Sequence, residues 1–355
     1  MQNFPHEYKI TIGLVSIISS SIAFIPVVYS KESLFILLLS ASAGVYFAKM
    51  LFVLISIRTL VCLNGLFSFY GILLYLFSSN NVINTVGFAL IGLSCGALLL
   101  LIPSNLTIMW FGNNKVMFSG TIWSFSSLLG IIFSNLIAAY PLGGSSVCLV
   151  LTMIGSVLIK KFPAAYKDPL LSHSQRISPR LNRKLLPAAL FFLFLGLAQG
   201  LMYMMAVSNS SLNSSLSYMA SGAVAAPLIS SLFCNKKGVF SSCILLIFLS
   251  ELCTMFLSFY NYAPFVQNIA VFLFGGVLTM TLCLLPVFCF YMFGPGNINS
   301  RLVSSAIFLP LGFLIAFFIP LTEKDLVSLT FLTILCSFFA LFSAWRHRLT
   351  LLKSS

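Results

Sequence analysis

Charge is what this sequence lacks most. Of 355 residues only 7% are Asp, Glu, Lys or Arg, and just six are acidic. A soluble domain carries about 25% charged residues, and a soluble fold could not cover its surface with so few. With 59% hydrophobic residues, the chain reads as an integral, multi-pass membrane protein. Paired cysteines are missing too. All nine Cys fall in or beside apolar segments, none in a CxxC pair, which excludes a disulfide framework and leaves them as small hydrophobes. The three His (His6, His173 and His347) lie outside the apolar runs, so no metal, haem or other cofactor is expected. The N-terminus has no basic leader and no small-residue cleavage site; its first apolar segment is expected to be retained as a signal anchor. A net charge of +13 would suggest nucleic acid for a soluble chain. In a membrane protein it reports orientation instead, because Lys and Arg in loops set topology.

What is present is apolar length. Runs of about 18 or more residues read as membrane spans, and twelve are expected, near 10–29, 34–57, 59–78, 82–108, 116–140, 146–161, 185–207, 216–234, 239–260, 265–291, 302–321 and 326–345. The loops support that count. With the N-terminus inside, Lys31 and Lys324 fall outside and Lys49 falls within a span, so the other sixteen of nineteen basic residues lie inside. That asymmetry predicts N-in, C-in topology.

Seven of those inside residues crowd into "KKFPAAYKDPLLSHSQRISPRLNRK", Lys160 to Lys184. It reads as a cytoplasmic linker (160–184) between two six-helix bundles, 1–159 and 185–355. The halves also repeat. "GLSCGALLLLIP" (Gly92 to Pro103) in span four matches "GGVLTMTLCLLP" (Gly275 to Pro286) in span ten, 183 residues on. Each copy continues to an aromatic-Gly end, in "MWFGNNK" and "MFGPGNINSR". Matching segments in two six-span halves are what an internally duplicated transporter shows.

With its 6+6 spans, basic central linker and "MWFGNNKVMFSG" junction (Met109 to Gly120), the chain resembles the major facilitator superfamily. The likeness is architectural. The loop after span two, "ISIRTLVCLNG", keeps Arg58 but lacks the family's Asp, as does "CNKKG" in the second half. Span five has no Gly-Pro motif. The resemblance implies that spans 1, 4, 7 and 10 line a cavity, that spans 2, 5, 8 and 11 lie between the halves, and that a site near the midplane opens alternately to each side.

Carboxylates are nearly absent from the spans. Glu7 and Asp168 are inside, Glu32, Glu323 and Asp325 outside, and only Glu251 is in a span, the ninth. Spans 1, 4, 7 and 10 hold neither acid nor His, so proton coupling through a cavity carboxylate is not expected. Glu251 is a proton site or a protonated structural carboxyl. Lys49, in "AGVYFAKMLFVL", sits roughly eight residues from the inside end of span two, about 12 Å deep. It either snorkels in part or offers a cation to an anionic solute, with Tyr46 on the same face. Gln199 and Tyr203, four apart on span seven, share a face; Trp123 in span five could stack on a planar solute. Ser94, Thr279, Tyr70 and Tyr75 read more readily as packing. Pro103 and Pro286 end the repeated segments and mark kinks suited to gating or to static packing; Pro227 and Pro310 lie in spans 8 and 11. Asn209 and Asn213 form Asn-x-Ser sequons in an outside loop.

The expectation is an all-α polytopic transporter of a small polar or anionic solute, with the lipid bilayer as its other partner. It is not an enzyme, and its oligomeric state is open. The rival readings are a transporter-like receptor or assembly factor and a membrane-embedded transferase. The transferase fits poorly, because the loops carry no clusters of acids or His.

Overall fold

The computed structural model describes residues 10–11, 13–15, 17–18, 31–103, 115–158, 186–208, 216–259, 263–293, 298–319 and 323–353. Among them every regular element is helical. Helical residues within 10–18 form α1. There follow α2 (Lys31–Leu54), α3 (Ile57–Phe77), α4 (Asn81–Cys95, continued by a π-helical turn Gly96–Leu101), α5 (Lys115–Ala139) and α6 (Pro141–Leu158). The second half holds α7 (Leu186–Ser208), α8 (Leu216–Lys237), α9 (Val239–Ser258), α10 (Pro264–Phe293), α11 (Ile298–Ala316) and α12 (Glu323–Lys353). The expected linker, 160–184, and both sequons lie outside the described residues.

Local chemistry explains several boundaries. The Ser56 hydroxyl accepts from the Thr59 amide at 3.2 Å and starts α3. The Asn80 side chain accepts from the Val82 amide at 2.9 Å and starts α4. These are N-caps that satisfy otherwise orphaned amides. The sixth helix begins at Pro141, five residues before the expected 146. Proline suits a first helical position because its missing N–H has no partner there anyway. The twelfth runs to Lys353, beyond the expected 345. Nine helices among the described residues are long and apolar enough to cross a bilayer.

The chain divides into two compact units: Met1–Phe118 with Phe125–Arg180, and Ser119–Ser124 with Leu181–Ser355. In the first, α4 packs on α2 and α3, and α3 packs on α6. In the second, α10 packs on α8 and α9, and α9 packs on α12. Adding six to each helix number turns the first set of pairs into the second. The same shift relates α7 against α11 and α12 to contacts of α1 in the first unit. There the Ser126 hydroxyl of α5 reaches the Ile17 carbonyl of α1 at 3.4 Å, and α6 meets α1 where Gly155 faces Ile18.

Glycine makes the tight pairs tight. A side chain on Gly92 or Gly96 would meet the α2 carbonyls of Leu37 and Ala41, and one on Gly44 would meet the Leu93 backbone. In the second unit Gly222 faces the Phe272 carbonyl and Gly275 the Met219 carbonyl. Gly196, Gly200 and Gly312 do the same between α7 and α11. Lipid offers no hydrophobic drive for helices to associate, so close backbone approach through small residues supplies the packing energy. Gly92 and Gly275, paired by the 183-residue repeat, do equivalent work in the two units.

Candidate functional site

The described site residues divide between the units. In the first, Val45 and Ala48 are buried, as is Gly44 against α4, whereas Tyr46 is 46% exposed and meets Phe47 edge-on at 6.2 Å. Tyr46 therefore points away from α4. Lys49 follows it by three residues on the same helix; its side chain lies outside the described residues. Pro103 is buried directly beyond the π-helical turn of α4. A π-turn is one residue wider than the α-helix and is frequent at functional sites.

In the second unit the polar contacts of the site residues are described. Gln199 is 2% exposed and donates from Nε2 to the Thr281 hydroxyl of α10 at 2.6 Å. Thr281 in turn donates to the Val277 carbonyl at 2.8 Å. One turn on, Tyr203 packs among Phe274 of α10 and Phe313 of α11, with ring centroids 6.4 and 5.8 Å away, and Phe317 at 6.2 Å. Gln199 and Tyr203 do share a face, and that face meets α10. In this conformation the amide is spent on a helix–helix hydrogen bond and the phenol ring sits in an aromatic layer.

Ser119–Ser124, the part of α5 that belongs to this unit, carries Trp123 at 1% exposure. No face of the indole is open to a solute here. The Ser119 hydroxyl donates to the Cys283 carbonyl at 2.8 Å. That carbonyl lies three residues before Pro286, which sits inside α10. The ladder bond that Pro286 cannot make is the one to the Leu282 carbonyl, four residues back; the adjacent Cys283 carbonyl takes the serine hydroxyl as a bond between α5 and α10. Gly120 meets the Pro227 carbonyl and Ser231 of α8. Glu251 is half-buried on α9. Its neighbours Ser250 and Thr254 are buried and bonded to their own helix.

Three contributors were not singled out from sequence. Thr281, which holds Gln199, had a signal in lying two residues beyond the noted Thr279. Ser119, which bonds the Cys283 carbonyl of α10, had none. The Gly-x-x-x-Gly spacings at Gly92–Gly96 and Gly196–Gly200 were visible and mark the close pairs.

No family model and no curated protein sequence matches the chain. Solved structures do. The chain is similar to the major facilitator superfamily transporter FucP in its outward conformation, with a TM-score of 0.67 at 13% identity over 96% of this chain and 99% of that one. It is similar to a bacterial homologue of the iron transporter ferroportin, outward-facing, with a TM-score of 0.63 at 14% identity over 97% of this chain and 100% of that one. Near-complete coverage of both chains in each comparison, together with the six-shifted helix pairing inside the two units, identifies the architecture: this is an integral, multi-pass membrane protein with the major facilitator fold.

Proposed function

We propose that the chain is a membrane transporter rather than an enzyme, moving a small polar or anionic solute by alternating access. The observation that carries this reading is the fold shared with transporters over almost the whole chain. Twelve spans run N-in and C-in, with bundles 1–159 and 185–355 joined by the basic linker 160–184, in a plasma or inner membrane. Lys49 supplies the cation and Tyr46 a neighbouring hydroxyl. Gln199 and Tyr203 become contacts only if solute exchanges for Thr281 and the aromatic layer, and Trp123 only if its segment opens. Pro103 and Pro286 are the hinge positions.

The test is solute uptake and efflux in proteoliposomes, screened across anions, sugars and amino acids, with Lys49→Ala beside the wild type. Saturable flux of at least one solute is expected, and a selective loss of anion flux in the variant. No flux of any solute would sink the transporter reading; unchanged anion flux in Lys49→Ala would remove only the role given to Lys49.

A further inference from the structure

The second unit carries a groove of about 390 Å³ between α8 and α9, lined by Phe233, Ser241, Ile244, Leu245 and Phe248. Four of the five are apolar. Phe248 and Ile244 are exposed large hydrophobics, so the groove opens where lipid chains would be. From Ser241 to Phe248 it runs seven residues along α9, about 10 Å, a large part of one leaflet's hydrocarbon depth.

Its polar end is cationic. Ser241 donates to the Lys237 carbonyl at 3.1 Å, so the groove begins directly beneath the last turn of α8, which carries Lys236 and Lys237. Both are exposed, and neither has an acidic partner among the described residues. At the same end Phe240 stacks on Trp345 at 5.0 Å and 24°, which brings the exposed Arg346 near the start of α9. Aromatic rings with basic residues mark the headgroup level of a bilayer. Glu251 lies ten residues beyond Ser241, about 15 Å along the helix, too deep to neutralise this end. Lysines in a last turn suit the helix dipole anywhere; an apolar groove starting immediately below them is what adds a ligand.

We infer that this groove is a binding site for an anionic phospholipid, with an acyl chain against Ile244, Leu245 and Phe248 and the phosphate at Lys236 and Lys237. A zwitterionic lipid fits the groove equally but gains less from two ammonium groups. The site requires no assumption about transport, and the cationic end meets a headgroup layer in either orientation of the chain.

Native mass spectrometry of the full chain, with phosphatidylglycerol and phosphatidylcholine in equal amounts, tests it. Each basic residue near an anionic surface contributes about 1 kcal/mol, so wild type should retain phosphatidylglycerol by roughly tenfold or more. Lys236→Gln with Lys237→Gln should bring that ratio close to one. Ser241→Trp, which fills the groove but keeps the charge, should lower retention of both lipids. Equal retention of the two lipids by wild type overturns the proposal without recourse to any variant. So does unchanged retention in Ser241→Trp, and so does a two-chain mass that this substitution abolishes, since a second copy would then be the occupant.

Discussion

At the scale of single residues, Gly238 makes the sharpest prediction. It joins α8 to α9 with φ of +91°, and a Cβ there would meet nothing within 4 Å. Substitution therefore costs backbone strain alone. Gly238→Ala should destabilise by about 1–2 kcal/mol and Gly238→Asn by less, measured by denaturant unfolding in detergent; a neutral Ala variant would show that the turn relaxes. Gln199 offers a different test. If its bond to Thr281 is structural, Gln199→Met and Thr281→Val should each cost little and couple by about 0.6 kcal/mol in a double-mutant cycle. A large loss of transport in Gln199→Met with Thr281→Val unaffected would instead make the amide a solute contact. Four-residue spacing made the common face of Gln199 and Tyr203 legible in the sequence. Their partners were not legible, because periodicity gives a direction on one helix and says nothing of which helix stands opposite.

At the scale of elements, the spans were legible because bilayer thickness demands long apolar runs. The boundaries were less legible: Ser56, Asn80 and Pro141 start their helices, yet α6 begins five residues before the expected 146 although a proline marks the place. The π-helical turn in α4 had no signature in "GALLLL", since its apolar residues suit an ordinary α-turn just as well. Gly92 and Gly96 press on α2 so closely that Gly96→Val should force the helices apart. A loss of about 2 kcal/mol or more is expected, read as a lower unfolding midpoint and a broadened size-exclusion peak; normal behaviour would mean that the pair is looser than its backbone contacts indicate. In α10, the Cys283 carbonyl accepts the hydroxyl of Ser119. Ser119→Ala should cost about 1 kcal/mol, read by denaturant unfolding in detergent; a neutral variant would show that the carbonyl is served by its own helix alone.

At the scale of the molecule, the internal duplication was legible from one 12-residue match. Its extent was not, because the glycines of the two units fall at only partly equivalent positions while the pairings among α2, α3, α4 and α6 recur among α8, α9, α10 and α12. If solute flux is found, the scarcity of carboxylates in the spans predicts that an imposed pH gradient changes its rate less than twofold. Strong acceleration by an inward proton gradient would restore Glu251 as a coupling site. The proposed orientation predicts fluorescence from a reporter fused after Ser355 when it is expressed in bacterial cells, where such reporters mature only in the cytoplasm. The glycine contacts also bear on how the protein is made. With Pro227 inside it and two lysines at its end, α8 is the least apolar of the nine bilayer-length helices, a poor candidate for entering lipid unaided. Its closest partner, α10, leaves the ribosome only after the whole of α9 has been synthesised. The Gly222–Phe272 and Gly275–Met219 contacts thus secure a weak segment after a delay, and damage to them should appear first as chains degraded during biogenesis, before any mature protein has failed at its task.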